Sequence, residues 1–184
     1  MYNDYACGCS LVVKYELPKL GLWVRFPSSA PNRGNMSKLF IYYSHTGNGE
    51  LIAEKMAGYG YETYRVIPKK DIPNSFFWGI MTGGFWTVIN KKPKLKDFNV
   101  DLSKYDEVVI GAAIWNARLC CPIVSALEKL DLKDKKLSFI LYSGSGEAPN
   151  AEELINQKYG APIIKLQEPK KYPEVIDEKL KAFN

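Results

Sequence analysis

The sequence predicts an α/β domain, a five-stranded parallel sheet with helices on both faces, in three layers. Three observations carry this reading. From residue 36 onward, short apolar runs alternate with helical patterns. The runs "KLFIYY" (38–43) and "DEVVIGAAI" (106–114) are nearly continuous, as in strands buried on both faces. The linkers between strands and helices are short, which favours parallel neighbours joined by helical crossovers.

The elements follow in order. "KLFIYY" is the first strand. In "NGELIAEKMAGY" (48–59), Leu51, Ile52 and Met56 share one helical face. "ETYRVI" (62–67) is β-branched and aromatic, so it is a strand. "DEVVIGAAI" is the third strand. "PIVSALEKL" (122–130) starts on Pro122 and repeats Ile123, Leu127 and Leu130 at i, i+4 and i+7, a helix. "KLSFILYS" (136–143) is the fourth strand. "NAEELINQKYG" (150–160) is a short helix stopped by Gly160. "APIIKL" (161–166) is the last strand. "YPEVIDEKLKAF" (172–183) is the last helix, with Val175, Ile176, Leu180 and Phe183 facing inward.

One segment breaks the alternation. Residues 68–100 should hold the helix between the second and third strands. Phe76, Phe77, Trp78, Phe85 and Trp86 crowd there around Gly83-Gly84. The first expectation is that these aromatics cap the sheet as core. The alternative is that some wall a pocket or meet a partner, a homodimer through 76–86 among the options.

Composition bounds the function. The chain has 184 residues, 46% hydrophobic and 24% charged, which is a globular balance. That length buries a core without disulfides or metals. No apolar run approaches the roughly 20 residues that span a bilayer, so no membrane role is expected. The N-terminus lacks a basic start followed by an apolar stretch. The cysteines, Cys7, Cys9, Cys120 and Cys121, form a C-x-C and a C-C pair, not a spaced framework. A reducing, cytoplasmic setting is therefore expected. With one histidine in the chain, no metal site is expected. The net charge of +5 is mild. The lysine cluster "NKKPKLK" (90–96) reads as a solvated surface, with docking of an acidic partner as the alternative. Nucleic-acid binding has no other support. Asp106-Glu107 and Glu152-Glu153 read as solvated ends of elements.

Residues 1–35 differ from the rest. "PSSAPNRGN" (27–35) is a linker composition, and "MSKLFIYYS" from Met36 has the character of a protein start. The expected organisation is an N-terminal extension over 1–35 and one domain over 36–184. "SLVVKYEL" and "GLWVRF" within the extension have the pattern of a hairpin, and Cys7 and Cys9 read as incidental.

In open α/β sheets, ligands bind at the carboxyl ends of the strands. That rule selects three loops, 44–49, 112–119 and 143–149. The first, "SHTGNG", follows a strand and opens a helix. Its unpaired N–H groups and the helix dipole favour an anion. Ser44 and Thr46 add hydroxyls, while Gly47 and Gly49 allow close approach. An ordinary turn with Thr46 as N-cap is the alternative. The second loop, "AAIWNARLCC", follows the third strand, next to the first in a 2-1-3-4-5 order. Trp115 has no obvious apolar partner in sequence and is suited to stacking on a flat ring. Cys120 and Cys121 lack C-x-x-C spacing, so apolar packing is expected over a redox pair. The third loop, "SGSGEAPN", is glycine-rich, and its amides can reach a planar heterocycle. His45, the only histidine, reads as a loop residue valued for its N–H, with a proton relay as the alternative.

Together, Ser44-x-Thr46-Gly47-Asn48, Trp115-Asn116 and Gly144-x-Gly146 resemble the flavodoxin family over about residues 37–184. The resemblance implies a flavodoxin-like sheet of order 2-1-3-4-5 binding FMN non-covalently, of the short-chain type and a variant subfamily. It implies that Ser44, His45, Thr46, Gly47, Asn48 and Gly49 bind the phosphate, without a lysine or metal. Ala113, Ile114, Trp115 and Asn116 would meet the isoalloxazine ring, as would Ser143, Gly144, Ser145 and Gly146. The chain departs from the family pattern in three places. Gly49 stands where Thr or Ser is usual, a missing donor worth roughly 1 kcal/mol. The third loop lacks its usual stacking tyrosine, and Tyr142 stands one residue earlier, where it can point into the sheet. Residues 36–184 carry 21 Lys and Arg against 18 Asp and Glu, unlike the acidic electron carriers of the family. The implied function is electron transfer with a redox partner protein or a small-molecule acceptor, and no catalytic base or nucleophile. The alternatives are an NAD(P)H-dependent FMN quinone or flavin reductase, and a flavin-free binding module on the same fold.

Overall fold

The computed structural model describes residues 37–73 and 76–183. They belong to the unit Met36–Asn184. The expected extension over 1–35, with its hairpin pattern and Cys7 and Cys9, lies outside the described residues.

The chain runs β1 (Lys38–Tyr42), α1 (Asn48–Gly58), β2 (Tyr61–Arg65), α2 (Phe76–Val88), a 3-10 turn (Leu102–Lys104), β3 (Glu107–Trp115) and β4 (Arg118–Leu119). It continues through α3 (Cys121–Leu127), β5 (Lys136–Ser143), α4 (Pro149–Lys158), β6 (Ile163–Gln167), α5 (Glu174–Lys179) and a closing 3-10 turn (Leu180–Phe183). The main sheet has the order β2-β1-β3-β5-β6 with every pair parallel. This is the flavodoxin-like arrangement, 2-1-3-4-5 over the five long strands. The added β4 pairs antiparallel with β3, Trp115 opposite Arg118.

Alternation along the central strands sorts the core into two layers. Leu39, Ile41, Val108, Ile110, Phe139 and Leu141 face α3 and α4, meeting Ile123, Ala126, Ala151 and Ile155. Phe40, Tyr42, Val109, Ile140 and Tyr142 face the other way, onto Ile52 and Met56 of α1, Ile176 of α5, and Leu180 and Phe183 of the closing 3-10 turn. Both faces are buried, so β1 and β3 read as unbroken apolar runs. At Gly111 the second layer is closest. A Cβ there would lie 2.4 Å from Phe40 Cζ and 3.0 Å from Tyr42 Cβ. The missing side chain leaves the room that the Phe40 ring occupies, stacked on Tyr42 with centroids 5.4 Å apart.

The aromatic segment divides. Trp86 is buried, 7% exposed, against Ile72 and Cys121. Trp78 and Phe85 are 62% and 61% exposed. The expectation that the aromatics cap the sheet as core holds for Trp86 and fails for those two. The reason is steric, because Gly79 and Gly83, one turn apart, take the inward face of α2. The side chains of Phe76 and Phe77 lie outside the described residues.

Glu107 also departs from expectation. It is 3% exposed, not solvated. Tyr61 Oη donates to Glu107 Oε1 at 2.6 Å and Lys136 Nζ to Oε2 at 3.0 Å. Burial pushes the carboxyl up, but these donors outweigh it and hold it below the ordinary glutamate range. Such a group contributes stability above its unfolded value and loses it as the pH falls through its folded value. Glu107→Gln is therefore expected to lose about 2 kcal/mol at pH 7, with the difference from wild type shrinking in acid. Urea unfolding at neutral and acid pH measures this, and a pH-independent difference would contradict it. Among the described residues, no helix is long and apolar enough to cross a membrane.

Candidate functional site

Parallel pairing brings the carboxyl ends of β1, β3 and β5 to one edge of the sheet. The three loops expected from sequence gather there. In the first, Ser44 is 1% exposed. Its Oγ accepts hydrogen bonds from the N–H groups of Gly47 and Gly49, each at 3.1 Å. Gly47, at φ 86°, is the N-cap of α1, a left-handed conformation that suits glycine. Thr46 is not the N-cap; its Oγ1 accepts from Asn48 Nδ2 at 3.2 Å. The N–H groups of His45, Thr46, Asn48 and Glu50 meet no acceptor among the described residues. With the positive end of the α1 dipole, they make a cradle suited to an anion.

Gly49 is buried and tightly enclosed. A Cβ there would lie 2.7 Å from Tyr142 Oη, 2.8 Å from Ser44 Cβ and 3.1 Å from Tyr42 Cδ2. Tyr142 does point into the sheet, and its hydroxyl donates to the Tyr43 carbonyl. The place expected to lack a hydroxyl is thus filled by a phenol from β5. Burial pushes the Tyr142 phenol far up, so it stays a neutral donor.

The second loop is a hairpin, not an open loop. β3 runs on to Trp115 and turns at Asn116 and Ala117, both at positive φ, 49° and 59°. Paired left-handed residues are what a two-residue hairpin turn uses. The Ala117 carbonyl accepts from the N–H of Ala151, which serves an otherwise unpartnered donor at the start of α4. Trp115 is half-buried and does have apolar partners. Tyr43 meets it edge to face, with centroids 5.6 Å apart and planes at 87°. It also packs on the Ile72, Trp86 and Cys121 cluster. These partners come from segments remote in sequence.

Helix α2 lies against two of the expected site residues. A Cβ on Gly79 would lie 3.4 Å from His45 Nε2, and one on Gly83 would lie 3.2 Å from Trp115 Cδ2. The approach to α2 is anchored by Asp71, whose Oδ1 accepts from Tyr43 Oη at 2.6 Å and from the Ile72 N–H at 2.8 Å. Cys120 and Cys121 are free and buried. Burial pushes the Cys120 thiol up to about 12, which leaves no reactive thiolate near neutral pH.

In the third loop, Ser143 Oγ donates to the Glu147 carbonyl at 3.3 Å, and Ser145 Oγ accepts from the Glu147 N–H at 3.2 Å. β6 braces this loop. Gln167 Nε2 donates to the Gly144 carbonyl at 3.1 Å, and Lys165 pairs with Glu147 at 2.9 Å and with Glu152 at 3.1 Å. Two further cations reach the first loop. Arg65 Nη2 donates to the Ser44 carbonyl at 3.1 Å while Nη1 pairs with Glu50 at 2.8 Å. Lys170 Nζ donates to the Thr46 carbonyl at 2.8 Å. Tyr142, Arg65, Gln167 and Lys170 have no place in the loop patterns. Only Tyr142 carried a sequence signal, its position one residue before the third loop.

No protein-family model and no curated protein matches the chain. Solved structures do. A protein from Bacteroides eggerthii, provisionally described as a flavoprotein, aligns with a TM-score of 0.64 at 20% identity, over 81% of this chain and 98% of its own. A flavoprotein from Lactobacillus acidophilus, solved in complex with FMN, aligns with a TM-score of 0.58 at 18% identity, over 76% and 98%. A provisionally described flavoprotein from Bacteroides uniformis gives 0.63 at 21% identity, over 78% and 99%. At these identities the likeness is one of fold: the described residues adopt the flavodoxin-like fold that these proteins share.

Proposed function

We propose that the chain binds FMN non-covalently and acts in electron transfer. The observation that carries this is the first loop, where four N–H groups without acceptors among the described residues surround a left-handed glycine at the start of α1. The second and third loops stand beside it at the same sheet edge. Ser44, His45, Thr46, Gly47, Asn48 and Gly49 would hold the phosphate. Ser44 Oγ already accepts two N–H groups, which leaves its own proton to donate to the anion. Thr46 Oγ1, accepting from Asn48, is left in the same way. Ala113, Ile114, Trp115 and Asn116 on one side, and Ser143, Gly144, Ser145 and Gly146 on the other, would hold the ring. When bound, FMN supplies the redox chemistry, and the protein sets binding, orientation and electrostatics. The Lys69 and Lys94 segments pair at 2.7 Å, and with the exposed Lys70 and Lys96 they suit an acidic redox partner.

The test is titration of FMN with purified full-length protein. Flavin fluorescence is expected to fall to a one-to-one end point. A colourless protein that leaves the fluorescence unchanged would favour the flavin-free module and end this reading. A reductase is the second reading, and what favours it is the exposed apolar stripe of Met81, Phe85 and Val88 on α2, continued by Ile89 just past its end. Such a stripe suits an interface between two copies. Stopped-flow mixing of the FMN-loaded protein with NADPH separates the two. A carrier leaves the flavin absorbance standing, whereas rapid bleaching means a reductase.

A further inference from the structure

We propose that Lys170 is a ligand of the FMN phosphate, supplying from the β6–α5 turn the cation that loop 44–49 lacks; this rests on the FMN reading above. The turn is fixed before it reaches the loop. The Glu168 N–H donates to the Ser143 carbonyl at 3.0 Å, and the N–H groups of Lys171 and Tyr172 return to the Glu168 carbonyl at 2.7 and 3.1 Å. Lys170 is then tied to the cradle at both ends. Its backbone N–H donates to Asn48 Oδ1 at 3.0 Å, and its Nζ donates to the Thr46 carbonyl at 2.8 Å. Between these points the side chain crosses Gly47. A Cβ on that glycine would lie 2.1 Å from Nζ and 2.6 Å from Cε. The ammonium therefore stands over the middle residue of the cradle.

The neighbouring charges are otherwise engaged. Arg65 pairs with Glu50 at 2.8 Å, and Lys171 pairs with Glu168 at 3.3 Å. Among the described residues, no carboxylate pairs with Lys170. An ammonium has three donors, and the Thr46 carbonyl uses one of them. Two are left for a phosphate held by the loop amides, and a charged donor makes the stronger class of hydrogen bond. A brace that only ties the turn to α1 would use the same contacts. The two roles differ in one respect: a phosphate ligand discriminates FMN from riboflavin, and a brace does not.

The experiment measures FMN and riboflavin dissociation constants by fluorescence quenching for full-length wild type, Lys170→Gln and Lys170→Arg, at low and at high salt. Lys170→Gln is expected to weaken FMN about tenfold at low salt, to leave riboflavin nearly unchanged, and to flatten the salt dependence of FMN binding. Lys170→Arg, which keeps the charge, should retain most of the affinity. Wild-type binding of FMN with an unchanged FMN-to-riboflavin ratio in Lys170→Gln overturns the Lys170 inference and leaves the FMN reading standing. If riboflavin binds too weakly to measure, the salt dependence of FMN binding decides in the same way. A wild-type protein that binds neither flavin overturns both.

Discussion

Gly111→Ala is expected to lose about 3 kcal/mol of stability, although it adds a single methyl group. The methyl would meet Phe40 Cζ at 2.4 Å and Cε2 at 2.8 Å. Phe40 is fully buried. Its ring is stacked on Tyr42, interplanar angle 7°, so it cannot swing aside without carrying a second aromatic with it. The backbone cannot give way either, because β3 is paired in register on both sides, with Tyr42 and with Ile140 opposite Gly111. Close-packed interiors transmit such strain instead of absorbing it. Denaturant melts measure the loss. Shortening Phe40 to leucine should recover part of it in the double variant, a coupling that double-mutant analysis reads directly. A Gly111→Ala protein as stable as wild type would mean that Phe40 and β3 can yield to the added methyl.

Gly49→Thr is expected to weaken both stability and FMN binding, even though it restores the residue type usual in the family pattern. The new Cβ would strike Tyr142 Oη at 2.7 Å and Ser44 Cβ at 2.8 Å. Ser44 cannot retreat without releasing the Gly47 and Gly49 amides it holds. Tyr142 cannot retreat without leaving the Tyr43 carbonyl unserved in a buried place. The expected loss is about 2 to 3 kcal/mol in denaturant melts, with FMN affinity falling instead of rising. Tyr142→Phe removes the competing hydroxyl, so the double variant should lose less than the sum of the two single changes. Tighter FMN binding by Gly49→Thr alone would mean that Tyr142 does not fill the place of the missing side chain. Tyr142 fills the space but not the donor role: its one proton goes to the Tyr43 carbonyl, so the roughly 1 kcal/mol deficit expected from sequence for the absent hydroxyl remains the expectation.

The fold was legible where burial on both faces leaves its mark on one short run. "KLFIYY" and "DEVVIGAAI" became β1 and β3 within a residue or so of the expected bounds. Legibility failed where structure depends on pairs far apart. β4 is two residues long, and Arg118-Leu119 has no period to read. Ala117 carries no sequence sign of its positive φ. Leu130 continues the helical pattern of α3, yet the helix ends at Leu127. Glu107 reads as a solvated acid because Tyr61 and Lys136, its partners, arrive from β2 and β5, far away in sequence. The three candidate loops were legible because glycines, hydroxyls and a lone tryptophan at strand ends are local signals. Lys170 was not. It is one of two adjacent lysines in "EPKKYP", and only the fold carries it to Asn48, 122 residues away.

The two bonds that Ser44 Oγ accepts also bear on how a ligand would arrive. A loop closed from within by its own hydroxyl holds its shape before any anion enters it. The ordering of Gly47 and Gly49 then belongs to folding and not to association, so capture carries little entropic penalty for the backbone. Encounter with such a loop resembles a key meeting a cut lock, and the rate of capture is set by diffusion and charge in preference to rearrangement.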